Sequence, residues 1–483
     1  MLLPMSPSVR RTTDTGVSPW LTHSALLAAN ELLDQPAIVG PAQAWTWRDA
    51  HRASIELSKS LRHASAVCNL CTSRVSFLVT WLAALRSNTL LVLPPSGGHA
   101  DLAGVLKSTP HPVIVADPSQ AINQTWRSSA ECLICPAVGT ASKSSDADLA
   151  WQPDWDRTAI LLYTSGSTRA PEPQPKTLLQ LATGAQVLGE ALSRRNVGGL
   201  SAVQRIVCSV PPQHMFGFEA SVMLSLMHAI PVHEGRPLLP ADVQQAFADS
   251  PATAWITTPV HLRGLVQSGE FLLNCNLVVA STMPLTQQLA RQTEDLVGAP
   301  VLEIYGSTET GVLAMRRSAD EAAWAPVSGV RVEMVNDATL AYGSHFTSPM
   351  HLPDRIEIDA TGNFRLLGRS TDMIKIGGRR ASLAGLNMLL ADLPGLEDGV
   401  LYLPTTTNPT ERLCLIYSGP TLDRAGAERW LRTRLDSAFV PRIFVRVDKL
   451  PRSDTGKLPR QALDVLFAAW LRGGEQPDPS DAT

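Results

Sequence analysis

An apolar run, Ala159-Ile160-Leu161-Leu162-Tyr163, stops abruptly at Thr164-Ser165-Gly166-Ser167-Thr168. An apolar run without alternation reads as a strand buried on both faces, the kind found in parallel sheets. The residues that follow it are all small, and most carry hydroxyls. Small side chains leave backbone N–H groups accessible, and hydroxyls add donors that swivel. Such a loop at a strand end wraps an anion, most often a phosphate, the alternative being a plain surface loop. Lys176 adds a positive charge a little further on. The kinase-type loop, G-x-x-x-x-G-K-[ST], does not fit, because no Gly precedes Lys176.

The chain around this stretch repeats the same alternation. Trp45-Thr46-Trp47 reads as a strand end and helix start, with the helix running to Leu61. Val67–Cys71, Thr89–Leu93 and Pro112–Ala116 read as strands, with Val75–Leu85 a helix between the first two. Gly139–Trp155 is a polar connection, and Thr177–Leu192 a helix. Ile206–Val210, Ala254–Thr258, Leu277–Ala280 and Val301–Tyr305 continue the series. Strands alternating with helices imply an α/β fold whose parallel sheet is covered by helices on both faces. Phosphate loops in such sheets lie at the carboxyl ends of strands.

At 483 residues the chain is too long for one ordinary core, so two or more domains are expected. A formal net charge of −3 argues against a nucleic-acid footprint. No apolar run is long enough to span a bilayer, and the N-terminus carries no secretory leader pattern, so a cytoplasmic location is expected. Cys68/Cys71 and Cys132/Cys135 form two CxxC pairs among seven cysteines. Their strand-like context and wide separation favour buried free thiols over a zinc site.

Several further segments carry chemistry. Pro211-Pro212-Gln213-His214-Met215-Phe216-Gly217-Phe218 follows a strand and reads as a cleft wall or a packed His–aromatic turn. Val301-Leu302-Glu303-Ile304-Tyr305-Gly306-Ser307-Thr308-Glu309-Thr310-Gly311 delivers a sharp loop with a carboxylate. Opposite a phosphate loop, Glu309 suits Mg²⁺, a hard cation that takes oxygen ligands. Taken alone, it would read as a helix-start charge. Leu352-Pro353-Asp354 precedes the alternating strand Arg355–Ile358. Leu366-Leu367-Gly368-Arg369-Ser370-Thr371-Asp372-Met373 and Pro451-Arg452-Ser453-Asp454-Thr455-Gly456-Lys457-Leu458-Pro459-Arg460 complete the set.

Together, and in this order, these segments resemble the adenylate-forming superfamily of acyl- and aryl-CoA synthetases, adenylation domains and luciferases. The phosphate loop resembles [YF]-T-S-G-[ST]-T-G-x-P-K, with Arg169 in place of the second Gly and Lys176 later than usual. The resemblance implies a large N-terminal domain of layered sheets and helices, residues 1–368. A small mobile α/β C-terminal domain, 369–483, follows a hinge near 369–372, where Thr371 replaces the usual Asp or Lys, and ends in a disordered tail, 473–483. Within the small domain, strands Val400–Leu403 and Ile443–Val447 and a helix Arg424–Ala438 are expected.

The family implies roles residue by residue. Thr164, Ser165, Gly166, Ser167, Thr168 and Lys176 would bind the phosphates of ATP, with Thr164 and Glu309 holding Mg²⁺. Ser281, in the bulky turn Ser281-Thr282-Met283-Pro284, would lie near the adenine. Tyr305, Gly306, Ser307 and Thr308 would line the nucleotide site, Asp354 would hold the ribose hydroxyls, and Arg369 would reach ribose and phosphate. His214, Met215, Phe216, Gly217 and Gly306 would line the acid pocket, with His214 beside the carboxylate. Family members that take ortho-hydroxybenzoates often carry Asn after that His, so Met215 points to an acid lacking that group. Lys457 would bridge the carboxylate and the α-phosphate. Rotation about Thr371 would then bring the Gly377-Gly378 turn, with Arg379 and Arg380, into the site for the second half-reaction.

Val67–Arg74, Phe77-Leu78, Leu91–Pro95, Pro175-Lys176-Thr177 and Gly368–Met373 also look like the short AMP ligases of aryl-polyene and xanthomonadin pigment clusters. Those imply a hydroxybenzoate, 3-hydroxybenzoate in the xanthomonadin branch, loaded onto an acyl carrier protein through its phosphopantetheine thiol. An aryl- or acyl-CoA ligase using free coenzyme A is the alternative with the same first step. A non-catalytic nucleotide-binding protein is the alternative from another class, motivated by Arg169, the displaced Lys176 and Leu352-Pro353-Asp354.

Overall fold

The structure is a computed structural model. It describes residues 24–94, 102, 105–106, 109, 111–120, 126–127, 130–136, 145–163, 172–196, 198–248, 252–272, 274–336, 338–369, 373–376, 379–390, 393–404, 412–420, 422–452 and 458–473. Two large sheets dominate. One has six strands, in the order Glu131–Ile134, Pro112–Ala116, Ala66–Asn69, Leu90–Leu93, Thr158–Tyr163, Pro173–Thr177. The other has nine, running from Ala325–Pro326 through Gly311–Arg317, Val301–Ser307, Cys275–Ala280, Thr253–Thr257, Arg205–Cys208, Val232–His233 and Pro36–Val39 to Ala44–Thr46. Pairing is parallel through the centre of both sheets and antiparallel only toward their edges.

Alternate residues of each strand serve different cores, which is why the strands read as unbroken apolar runs. Val67 and Val113 share one core with Ile206, Ile256 and Val279 of the other sheet, so the two sheets face each other across a common interior. Helices Trp47–Leu61, Arg74–Arg86 and Leu178–Arg195 contribute to that interior. On the far face of the nine-stranded sheet, Val207, Trp255 and Val278 pack with Leu262 and Leu289 of two outer helices. On the far face of the six-stranded sheet, Cys68, Val92 and Ile114 pack with Leu102 and Val105.

Local signals set the helix starts. Thr46 caps Trp47–Leu61 and Thr177 caps Leu178–Arg195, each in a capping box with Asp49 or Gln180. Arg74 is buried at the start of its helix. Its guanidinium donates to the Cys208 carbonyl at 2.6 Å and the Ser221 hydroxyl at 3.2 Å, which joins the two sheets.

The chain after 330 leaves this body. A three-stranded meander, Arg331–Val335, Ala338–Tyr342 and Met350–Leu352, is followed by the pair Asp354–Ile358 and Phe364–Arg369. Strands Asp398–Tyr402, Cys414–Ser418 and Ile443–Arg446 then form a small sheet. Leu415 and Tyr417 face helices Leu383–Leu390 and Arg424–Arg432, while Cys414 and Ile416 face the last helix, Arg460–Gly473. The protein is thus an α/β molecule with a large N-terminal body of sheets and helices. Residues 370–372 and 474–483, where the hinge and most of the tail are expected, lie outside the described residues.

Two expectations need correction. The helix expected over Arg424–Ala438 ends at Arg432. Asp436 instead caps a short 3-10 turn, Ser437–Phe439, through the Ala438 N–H, and a local side-chain bond of this kind competes with helix continuation. The segment Pro173–Thr177, read as loop, is a strand paired antiparallel with Thr158–Tyr163. It lies at the sheet edge, where prolines 173 and 175 are tolerated because one side of the strand needs no ladder bond.

All seven cysteines are free, with Cys68, Cys71 and Cys135 buried and Cys132 partly so. Burial raises the Cys68 thiol to about 12 and the Cys135 thiol to about 11, which keeps both protonated. The described residues contain no cluster of His, Cys, Asp or Glu that would hold a metal ion. No helix among them is long and apolar enough to cross a membrane.

Candidate active site

Strand Thr158–Tyr163 and edge strand Pro173–Thr177 form a hairpin. Its connecting residues, with Thr164, Ser165, Gly166, Ser167 and Thr168, lie outside the described set. Lys176, on the returning strand, is only 5% exposed. Its ammonium donates to the backbone carbonyl of Glu309. Burial lowers the Lys176 pKa, opposed by the nearby charges of Glu219 and Glu309. Lys176 was expected to face phosphate; the structure turns its ammonium into the protein. Two segments 133 residues apart in sequence are thereby joined at one point.

Glu309 sits at the tip of a second hairpin, between strands Val301–Ser307 and Gly311–Arg317, and not at a helix start. Ser307 and Thr310 brace the tip, the Ser307 N–H meeting Thr310 Oγ1 at 3.1 Å and the Thr310 N–H meeting Ser307 Oγ at 3.3 Å. Gly311 has φ +69°, a conformation that a side chain would strain. A Cβ on Gly306 would lie 2.1 Å from the Gly311 carbonyl oxygen. The turn therefore requires both glycines. Gly306 and Ser307 are exposed, and Thr308 and Glu309 are half-buried. Glu303, deeper on the same strand, takes Arg316 at 2.8 Å, the Ser318 hydroxyl at 2.6 Å and the Leu285 N–H at 3.0 Å, which secures the hairpin base.

The Glu309 carboxylate makes no hydrogen bond or ion pair within the described residues, and it is partly open to solvent. An oxygen donor left in that state fits Mg²⁺, which takes one or two carboxylates plus phosphate oxygens and water rather than an all-protein cage. The companion ligand expected from sequence, Thr164, is outside the described residues.

Tyr305 and Asp354 meet. The Tyr305 hydroxyl donates to Asp354 Oδ2 at 2.8 Å, and its ring packs against Trp324 and Phe364, with centroids 5.5 and 5.7 Å away. Asp354 opens its strand opposite the backbone of Arg369. The Tyr305 hydroxyl, the Asp354 carboxylate and the backbone of Arg369 therefore lie close together. Ser281 donates to the Ile304 carbonyl at 3.0 Å, so the bulky turn is tied to the strand carrying Tyr305. Thr282 in that turn has φ +80°, a strained conformation for a β-branched residue.

His214 precedes a short helical turn, Met215–Gly217, which runs into a π-helical turn, Phe218–Met223. His214 and Phe216 are half-buried, and Met215 and Gly217 are buried. A Cβ on Gly217 would fall 2.1 Å from the Pro211 carbonyl oxygen, so only glycine fits there. The Met215 methyl lies 3.5 Å from where a Cβ on Gly311 would be, which brings this wall against the Glu309 hairpin.

In the small unit, Arg452 grips Asp398 through two bonds of 2.7 and 2.5 Å. Arg263, on helix Pro259–Ser268 of the large body, reaches the same carboxylate at 3.5 Å. The segment leading to Lys457 is thus moored beside the large body. Lys457, Thr371, Gly377 and Gly378 lie outside the described residues, and Arg379 is exposed beside Asp436.

Two residues of this region were not singled out from sequence. Glu219 is 6% exposed, and burial pushes its carboxyl up to about 7 against the pull of Lys176 and the Val312 N–H. His345 contacts the Val312 carbonyl at 2.9 Å, and burial lowers it to about 4, so it is neutral. An acidic residue inside the apolar run Met215–Leu224 was the available signal for Glu219.

The profile of a family described as AMP-binding enzyme matches residues 27–345. Over 377 residues the chain is 27% identical to phosphinothricin tripeptide synthetase PhsC of Streptomyces viridochromogenes, covering 67% of this chain and 33% of that protein. The chain therefore spans about a third of that relative's length. It is 26% identical over 300 residues to a 4-coumarate–CoA ligase of Cereibacter sphaeroides, covering 61% of this chain and 69% of that one. Its fold is similar to ATP-bound MatB from Rhodopseudomonas palustris, with a TM-score of 0.76 at 19% identity over 92% of this chain and 99% of that one. With the matched profile spanning well over half of its length, the chain belongs to the AMP-binding enzyme family.

Proposed function

We propose that the protein is an AMP-forming acid–thiol ligase acting on an aromatic carboxylic acid. The observation that carries this is the junction of Lys176 with Glu309, which sets the edge strand Pro173–Thr177 beside a hairpin bearing a partly exposed carboxylate. In the first step a carboxylate oxygen bonds to the α-phosphorus of ATP as the bond to pyrophosphate breaks, leaving an acyl-adenylate. In the second, a thiol sulfur bonds to the acyl carbon, its proton passes to solvent, and AMP leaves. No general base is needed in the first step, because the nucleophile is already ionised.

Carboxylate and triphosphate repel, so a positive field must be ready where charge is transferred. Mg²⁺, held by Glu309 and Thr164, would supply Lewis-acid screening of the phosphates. The N–H and hydroxyl groups of Thr164–Thr168 and the Lys457 ammonium supply the rest. Asp354 and Tyr305 orient the ribose, Arg369 supports ribose and phosphate, and His214, Met215 and Phe216 wall the acid pocket. The intact Glu309 and Lys457 favour this reading over a non-catalytic nucleotide-binding protein.

The acid is of the hydroxybenzoate type, 3-hydroxybenzoate being the first candidate, and the acceptor is the phosphopantetheine thiol of an acyl carrier protein, as in aryl-polyene or xanthomonadin-type pigment assembly. Support comes from Met215 after His214 and from the segments shared with those ligases. Free coenzyme A is the second acceptor reading, since a relative matched over most of its length is a CoA ligase. ATP–pyrophosphate exchange across a panel of benzoates tests the acid; exchange with none of them would defeat the reading. Holo carrier protein is expected to gain the acyl mass with a larger kcat/KM than free coenzyme A, and the reverse order would select the second acceptor.

Asp354→Asn is expected to raise the KM for ATP about tenfold, the worth of one hydrogen bond to a charged group, with the KM for the acid unchanged. Asn keeps an acceptor for the Tyr305 hydroxyl, so the variant isolates the lost charge. Steady-state kinetics with each substrate varied in turn checks it.

A further inference from the structure

Between Arg424 and Arg446 the chain carries six arginines against two carboxylates, a net +4 in a protein whose total is −3. All six, Arg424, Arg429, Arg432, Arg434, Arg442 and Arg446, are exposed. Surfaces that serve solubility alone intersperse both signs, whereas a one-sign field steers a partner of opposite charge. The fold gathers these residues. Arg424 opens helix Arg424–Arg432, with its guanidinium over the Phe444 ring at 5.1 Å and its Nη2 donating to the Arg442 carbonyl at 3.0 Å. Glu428 is reached by Arg424 at 3.2 Å and by Arg432 at 3.8 Å, so one carboxylate is shared between two cations. Phe444 and Arg446 alternate onto the same side of strand Ile443–Arg446, and Arg446 Nε donates to the Gly419 carbonyl at 3.0 Å. Arg434 lies over the Trp430 ring at 4.0 Å. Helix and strand therefore present one arginine face, its guanidiniums held by aromatic rings and backbone carbonyls. Strand Ile443–Arg446 is an edge of the small sheet, and charge there deters pairing with a foreign strand, which accounts for Arg442 and Arg446. It does not account for the helix arginines. The face also adjoins the segment that the ligase reading assigns to the thiol step, since Asp436, in the same stretch, meets Arg379 at 3.6 Å.

We propose that this face docks the protein that brings the acceptor thiol, the arginines of helix Arg424–Arg432 and strand Ile443–Arg446 receiving a carboxylate-rich surface of the carrier protein. The planar guanidinium fork suits carboxylates, which it can bind two bonds at a time. The negative total charge of the chain makes nucleic acid the poorer occupant. This rests on the ligase reading above, with a carrier protein as acceptor.

Two variants test it in the full chain: Arg432→Glu alone, and Arg424→Gln, Arg432→Gln and Arg446→Gln combined. Each is assayed with a holo acyl carrier protein of net negative charge, with free pantetheine as an uncharged thiol, and in ATP–pyrophosphate exchange. Both variants are expected to raise the KM for the carrier about tenfold, the effect of losing or reversing docking charges. The KM for pantetheine and the exchange rate stay within about twofold, because neither involves the face. Raising NaCl from about 50 to about 500 mM lowers the wild-type kcat/KM for the carrier about tenfold, and the triple variant loses most of that dependence. If the triple variant does not fold, Arg432→Glu carries the test, since its side chain makes only the long contact with Glu428. A wild-type carrier KM in the folded variants, or an equal rise for pantetheine, overturns the proposal. Binding of single-stranded RNA that the variants lose, with the carrier KM unmoved, assigns the face to nucleic acid and also overturns it. A wild-type protein that exchanges but loads only free coenzyme A defeats the docking proposal and leaves the ligase reading standing, whereas one that neither exchanges nor forms a thioester overturns both.

Discussion

Lys457→Ala is expected to slow acid-dependent ATP–pyrophosphate exchange by about 10²–10³, the usual loss when one preorganised donor to a developing charge is removed. The residue follows Gly456 in Pro451-Arg452-Ser453-Asp454-Thr455-Gly456-Lys457. Arg452, ahead of it, is held by Asp398, and Asp398 is approached by Arg263 from the large body. Removing the Lys457 side chain leaves those contacts untouched, so the thermal midpoint should not move. Thioester formation from acyl-adenylate supplied ready-made should survive largely intact, because the lysine serves the first step. Unchanged exchange in the variant would contradict its assignment.

Glu309→Gln is the second large effect, about 10²–10³ in exchange rate at low Mg²⁺, with partial recovery as Mg²⁺ rises. The basis is the loss of one charged oxygen ligand to a hard cation at the point of charge transfer. The substitution is clean on structural grounds. Lys176 bonds the Glu309 carbonyl and not its carboxylate, and the tip is braced by Ser307 and Thr310. Its geometry should therefore persist. Full exchange by the wild type in excess chelator, or a variant with unaltered Mg²⁺ dependence, would remove Glu309 from metal binding.

Much of the architecture was legible along the chain. Runs such as Ala159–Tyr163 and Leu277–Ala280 are apolar at every position because both faces of their sheets are covered. Where such a run breaks into small and hydroxyl residues, a strand end can be read directly, and the order of these breaks pointed to the family. Pro173–Thr177 was misread because its prolines hide a strand that only an edge position permits. Glu219 escaped notice for a different reason. The groups that set its charge, the Lys176 ammonium and the Val312 N–H, lie on other elements, and no local spacing records them.

The sequence by itself determined which apolar runs are buried strands and where each opens into a polar turn. Burial pattern and backbone preference are properties of neighbouring residues, so they survive in one dimension. Only the tertiary structure decided that the Lys176 ammonium meets the Glu309 carbonyl, and that the Tyr305 hydroxyl meets Asp354. A charge in a low-dielectric interior is set by whatever the fold brings within a few ångströms, and that depends on how whole sheets and helices are stacked.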